Sequence, residues 1–367
     1  MLGAGIVLNV AVLGFFKYAR LLPVLQGMEL DAPGISFFTF TQIAFLVETY
    51  RGNIVPMGMS EYGLYVSFFP KLMQGPIMLP EDFQAQRSDE KSTEQRSNKK
   101  LTEGEKKRTR AVFEDLALRS AQTGDEWWEK LLRNVILISL GLFKKVILAD
   151  TLGQAVAAGF ENVAALLTAD AWVVMLSYTL QLYFDFSGYC DMAYGIGYMF
   201  NVELPMNFNS PYKAVSIVDF WDRWHMTLTR FFTRYVYIPL GGSRKGKIRT
   251  YVNVMIVFFV SGVWHGANWT FILWGVLNGA ANVLHKIFGK WIEKIPKVLR
   301  VVITFIICTF AWSLFRAESI EQALELWKRL FHTGGGAIYA PIAEQFNNIV
   351  EMKVLYRIGL GSVMNSY

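Results

Sequence analysis

No Asp, Glu, Lys or Arg occurs between Arg249 and Lys286. Written as a single helix, Thr250 to Leu284 would be roughly 50 Å long, against a hydrocarbon core of about 30 Å. Such a run must break or tilt strongly. Arg244, Lys245, Lys247 and Arg249 precede it, and Lys286, Lys290, Lys294 and Lys297 follow it. Basic flanks at both ends predict that both lie on the cytoplasmic face, so the chain enters and returns. The reversal is predicted near Gly262–Ala267, and the spacings Gly262/Gly266 and Gly275/Gly279 let helix backbones approach closely. His265 falls inside this run. An ionisable side chain is costly there and is a functional candidate by default.

The remaining composition fits the same class. Of 367 residues, 53% are hydrophobic and 18% are charged, against roughly 25% charged in soluble chains. With several apolar runs near ~20 residues, this predicts an all-α, multi-pass helical membrane protein rather than a soluble domain with a large core. Cys190 and Cys308 lie in apolar segments, which argues for buried thiols and against a disulfide framework. The net charge of +6 is concentrated in loops; it reads as topology, and no nucleic-acid-binding signature accompanies it. The N-terminus lacks the basic region and cleavage site of a removable signal peptide.

Four regions follow. Residues 1–80 are predicted to be N-terminal membrane helices: 1–16, an aromatic-rich run at 33–49, and 62–79, which Pro70, Gly75 and Pro76 break. Residues 81–125 are a polar cytoplasmic insert. Within it, 81–110 carry seven acidic and nine basic residues, too little apolar surface to bury, so a solvated loop is expected. A hydrophilic helix continuing to about Ala121 also suits it. Residues 126–316 form the core, with membrane helices at 134–149 and 170–200, an amphipathic stretch at 215–238, and apolar runs at 250–285 and 298–315. Residues 317–367 comprise an interfacial helix opened by the capping box Ser319/Gln322 and an incomplete C-terminal region. No internal repeat is evident.

Several polar side chains in apolar surroundings carry the chemical interest. His265, desolvated and therefore neutral, is available as a base; a hydrogen bond between helices is the structural alternative. At helical spacing Trp221, His225, Leu228, Phe232 and Tyr235 share one face and Arg223, Arg230 and Arg234 another. That turns His225 inward, as a catalytic group or as a core histidine bonded to a carbonyl. Asp185 and Asp191, near Ser187, suit a proton path or cation site, or else pair with an arginine or a helix N-terminus. His285 and His332 are expected at the interface. Arg244, Lys245 and Lys247 follow Gly241-Gly242 and either meet cofactor phosphates or serve only as topogenic charges; the double glycine is not a phosphate-loop pattern.

Four ordered motifs give a resemblance. Tyr183-Phe184-Asp185-Phe186-Ser187-Gly188-Tyr189-Cys190-Asp191-Met192, Phe220-Trp221-Asp222-Arg223-Trp224-His225, Tyr237-Ile238-Pro239-Leu240-Gly241-Gly242 and Val263-Trp264-His265-Gly266-Ala267 resemble the membrane-bound O-acyltransferase family, in its alginate O-acetyltransferase branch. Gly34-Ile35-Ser36-Phe37-Phe38-Thr39-Phe40, Ser67-Phe68-Phe69-Pro70 and Gln74-Gly75-Pro76-Ile77 match upstream, and the likeness runs from about residue 10 to 316. The resemblance implies re-entrant and broken helices around a central tunnel, in a multi-pass protein of the bacterial inner membrane. It places the catalytic histidine at His265 and the second at His225. The Pro-Leu-Gly-Gly ending points to acetylation of a polysaccharide rather than D-alanyl transfer. It also implies further helices before Met1 and after Tyr367, which makes this chain a partial member.

The expected reaction moves an acetyl or other acyl group from a cytoplasmic-side thioester to hydroxyls of an extracytoplasmic polysaccharide. Acetyl-CoA or another acyl thioester is the expected donor, with no tightly bound cofactor and no metal. His265 serves as general base and His225 orients substrate or polarises the carbonyl. Asn268 or Trp264 donates to the oxyanion, and Asp185, Ser187, Trp221 and Arg223 complete the substrate contacts. Expected partners are the polysaccharide, a periplasmic acetyl-transfer protein and the lipid membrane, without nucleic acid. The competing readings are a non-catalytic scaffold of a polysaccharide-modifying complex and an ion-coupled transporter.

Overall fold

The computed structural model describes residues 2–19, 32–88 and 126–331, with 341, 342 and 345 besides. Among the described residues there is helix and turn but no strand, only an isolated bridge between Phe208 and Trp224. The chain folds into two compact units that interleave along the sequence. The first comprises residues 1–141, 189–209 and 223–236; the second comprises 142–188, 210–222 and 237–367.

In the first unit, α1 (Leu2–Tyr18) packs on α2 (Ile35–Tyr50). The broken apolar stretch becomes α3 (Met59–Ser67) and the short α4 (Phe69–Leu72), with Phe68 at the break and Pro70 in the first turn of α4. The bend is tight: a Cβ on Gly75 would sit 2.3 Å from Lys71 Cα. Then comes a correction to the solvated loop expected from residue 81. Pro80–Ser88 is a helix, α5, with Glu81 and Asp82 in its first turn. Proline at the start and acids in the first turn are both helix-initiating. Phe83 anchors it in a buried cluster with Tyr65, Val66, Phe68, Met78, Val202 and Leu204. Its two acids pair with Arg234 and Arg230. The rest of the polar insert, 89–125, lies outside the described residues, as do His332 and nearly all of the C-terminal region.

Glu48, near the end of α2, is fully buried and satisfied several times over. It accepts from Arg234 Nε at 3.0 Å, from Tyr235 Oη at 3.0 Å and from Asn53 Nδ2 at 2.6 Å. Buried charge survives only when paired in this way. This network ties α2 to the segment following His225.

Helix α6 (Glu126–Leu142) runs into a π-helical turn, Phe143–Ala149, and on into α7 (Asp150–Glu161). Next comes α8 (Thr168–Met199), whose 32 residues make it roughly 48 Å long. Its first part belongs to the second unit and its last part, from Tyr189, to the first.

The long uncharged run of the second unit forms a helical hairpin, α11 (Lys247–His265) and α12 (Trp269–Ile292), after the short α9 (Ile217–Trp221) and α10 (Met226–Phe232). The reversal falls at Gly266-Ala267-Asn268, at the edge of the predicted interval. A Cβ on Gly262 would come within 2.5 Å of Phe271 O, and one on Gly275 within 2.4 Å of Phe258 O. Only glycine permits that backbone approach. Helix α13 (Lys297–Arg316) packs on α12. These three helices are long and apolar enough to cross a membrane.

The amphipathic α14 (Ile320–Arg329) starts where the cap predicted it. Ser319 Oγ accepts from Gln322 N at 3.1 Å, but Gln322 Oε1 takes the N–H of Glu318, one residue outside the usual box. Ala323 and Leu326 are fully buried.

Candidate functional site

His225 is the N-cap of α10, four residues after α9 has ended at Trp221. Its backbone is left-handed, φ 45° and ψ 50°, between α9 and α10. The single amphipathic helix expected over 215–238, with Trp221 and His225 on one face, is therefore not formed. A non-glycine residue in this region stores strain and persists only where surrounding contacts over-determine it.

The contacts that do so centre on Asn207, in the first unit. Asn207 Oδ1 lies 3.0 Å from His225 Nδ1, 3.2 Å from Thr227 N and 2.9 Å from Thr227 Oγ1. Asn207 O takes the N–H of Met226 at 3.0 Å, and Asn207 N donates to Tyr194 Oη at 2.7 Å. Thr227 Oγ1 in turn accepts from Ile77 N at 3.0 Å, tying in the Gln74–Ile77 motif. A backbone N–H can only donate, so the atom facing Thr227 N is the amide oxygen and His225 Nδ1 carries the hydrogen. The lone pair is on Nε2. The carbonyl predicted to hold a core histidine is thus a side-chain amide. Phe37, from the upstream Gly34–Phe40 motif, stacks against the imidazole at 6.5 Å. Full burial pushes the pKa of His225 well below the ordinary imidazole range, so the ring is neutral at pH 7.

His265 lies in the second unit, as the last residue of α11. It sits in an aromatic enclosure built from the hairpin and α13. Ring centroids of Trp264, Phe315, Trp274 and Phe271 lie 4.4, 4.8, 5.1 and 6.2 Å away. Asn268 caps α12, its Oδ1 accepting from Thr270 N at 3.2 Å and its Nδ2 donating to Glu318 O at 2.6 Å. One amide hydrogen is left over.

The other predicted residues divide. Trp221 donates to Asn278 Oδ1 at 3.3 Å and packs edge-on to Phe258 and Trp274, 5.2 and 5.7 Å away. Arg223 donates to Asn209 O at 3.3 Å while its own carbonyl takes Asn209 N. Asp185 pairs with Lys145 at 2.8 Å, and the same ammonium holds Asp150 at 2.7 Å. The pairing alternative foreseen for Asp185 is the one realised, with a lysine rather than an arginine. Ser187 Oγ is buried nearby on α8 with no hydrogen-bond partner among the described residues. The Pro239–Gly242 motif is a turn: Gly241 and Gly242 have φ of 105° and 55°, and Asn253 Nδ2 holds Gly242 O at 2.9 Å.

Asn207, Thr227, Trp274 and Phe315 escaped the sequence reading. Asn207 is 18 residues from His225 and meets it only through the fold. Lys71 escaped it too. Its ammonium is buried without a hydrogen-bond partner among the described residues and lies 4.0 Å from the Tyr65 ring centroid.

Comparison with known proteins gives a consistent answer. A peptidoglycan O-acetyltransferase of Helicobacter pylori is 39% identical over 370 residues, covering 90% of this chain and 64% of that protein. A probable alginate O-acetylase of Pseudomonas aeruginosa is 33% identical over 351 residues, covering 90% and 60%. A teichoic acid D-alanyltransferase of Bacillus subtilis is 25% identical over 307 residues, covering 79% and 69%. The chain thus spans less than two thirds of the length of the first two relatives. The profile of the membrane-bound O-acyltransferase family matches residues 1–320. This chain belongs to the membrane-bound O-acyltransferase family.

Proposed function

We propose that the protein acetylates hydroxyls of a cell-envelope polysaccharide from the bacterial inner membrane, taking the acyl group from a cytoplasmic-side thioester such as acetyl-CoA. The observation that carries this reading is the enclosure of His265 by four aromatic rings at the reversal of an uncharged hairpin. The relatives named for O-acetyl transfer support it. A periplasmic protein that hands on or receives the acyl group fits the same reading.

In this scheme His265 takes the proton of the attacking hydroxyl as its oxygen bonds to the acyl carbonyl carbon. The C–S bond then breaks, and the proton passes to the departing thiolate. Rings on several sides of the imidazole keep water from competing with the sugar as nucleophile. The remaining amide hydrogen of Asn268, or the indole N–H of Trp264, stabilises the oxyanion. The tautomer of His225 supports one of its two expected roles. With Nδ1–H committed to Asn207, neutral Nε2 can accept a hydrogen bond but cannot donate one to a carbonyl. His225 therefore suits an orienting role rather than that of a donor to the carbonyl.

The test is acetyl transfer to polysaccharide in membranes carrying His265→Ala. General-base help is typically worth 10²–10⁴-fold, so transfer should fall by at least about 10²-fold at unchanged protein level. Transfer retained at the parent rate would remove His265 from the reaction.

A further inference from the structure

A cavity of about 540 Å³ opens between the start of α11 and the far part of α12, lined by Ser243, Gly246, Lys247, Thr250, Tyr251, Lys286 and Ile287. We infer that this cavity binds the headgroup phosphate of an anionic phospholipid, a site separate from the acyl-transfer chemistry.

The charges come first. Two lysines line the cavity and no carboxylate does. Both are exposed, and neither forms an ion pair among the described residues. Two ammonium groups left facing one hollow repel each other until an anion enters. Ser243 and Tyr251 are also among the lining residues, and ammonium with hydroxyl is the mixture that recognises phosphate oxygens.

Position then selects the kind of anion. The α11–α12 hairpin reverses at Gly266-Ala267-Asn268, so Lys247 and Lys286 lie together at its opposite end. From Lys247 to His265 the helix rises about 27 Å, close to one hydrocarbon thickness. The cavity is therefore at headgroup depth, on the face the basic flanks assign to the cytoplasm. Basic pockets between helix ends at this depth take lipid phosphates. Ile248, Val252, Leu284 and Phe288 beside the lining residues are exposed apolar side chains. They supply the greasy wall that acyl chains need and a soluble phosphate does not.

The experiment follows thermal unfolding of the purified protein in a neutral detergent while dioctanoyl phosphatidylglycerol, dioctanoyl phosphatidylcholine or inorganic phosphate is added. The phosphatidylglycerol should raise the melting temperature saturably, and the other two should not. Lys247→Gln and Lys286→Gln should each weaken the apparent affinity about fivefold, and the double variant should lose the response. Lys297→Gln, outside the lining, should leave it unchanged. All three substitutions touch exposed side chains, so the melting temperature without lipid should stay at the parent value; if the double variant does not fold, the single variants decide. An equal response to phosphatidylcholine or to inorganic phosphate overturns the inference. So does a Lys297→Gln loss as large as the others, which would mean diffuse positive charge rather than a site.

Discussion

His225 Nδ1 and Asn207 Oδ1 lie 3.0 Å apart, and the same oxygen receives both the backbone N–H and the hydroxyl of Thr227. One amide thus fixes the tautomer of the histidine, holds its left-handed backbone in place, and connects it through Thr227 Oγ1 to Ile77 N. Removing the oxygen strands up to three donors in a buried place. Each such group costs about 1–3 kcal/mol.

Asn207→Leu should therefore lower the melting temperature and reduce acetyl transfer together. Asn207→Asp separates the two effects. The carboxylate keeps the acceptor but raises the pKa of His225, so the ring protonates at a higher pH than in the parent. Nε2 then loses its lone pair, and the acidic limb of the pH–rate profile should move to higher pH. A profile superimposable on the parent's would show that the protonation state of His225 does not enter the rate.

Lys71 makes a stability prediction with a definite sign. Its ammonium is buried with no hydrogen-bond partner among the described residues, and a buried charge without a partner is costly. Lys71→Met should therefore raise the melting temperature, offset in part by the lost contact with the Tyr65 ring. A melting temperature below the parent's would show that the ammonium contributes more than its burial costs.

The glycine seam of the hairpin can be tested directly. Gly275→Ala places a methyl group 2.4 Å from Phe258 O, a backbone atom that cannot swing aside. Overpacking of this kind costs about 1–3 kcal/mol, and the shift passes along α11 toward His265. Gly14→Ala meets open space and should leave the melting temperature nearly unchanged. Thermal unfolding of the two variants side by side provides the measurement.

Asp185 was expected to touch substrate, and in the structure it pairs with Lys145. If pairing is its task, Lys145→Met and Asp185→Asn should each reduce stability. The double variant should recover part of the loss, with a coupling of about 0.5–3 kcal/mol. Strictly additive losses in the double-mutant cycle would return Asp185 to the substrate contacts.

Much of this was readable along the chain because it depends on the chain alone. The hairpin follows from length and charge: an uncharged run too long for one crossing must turn back. The cap at Ser319 and the close approach at Gly262 and Gly275 likewise follow from local chemistry. The start of α5 was also signalled, by Pro80 and two acids, but the surrounding charge masked it; Phe83 needed a cluster to bury into before the helix could form.

What the tertiary structure alone decided is which distant groups meet. Periodicity put His225 on a continuous helix, because periodicity assumes the backbone stays helical. Contacts from Asn207 instead hold it in the left-handed region. Those contacts join residues from separate segments, and the energy that sustains a strained backbone comes from such non-local partners rather than from the residue itself. The aromatic rings around His265, from α11, α12 and α13, converge for the same reason. Sequence fixes the chemistry each side chain carries; packing settles which neighbours it meets, and so which proton a histidine keeps.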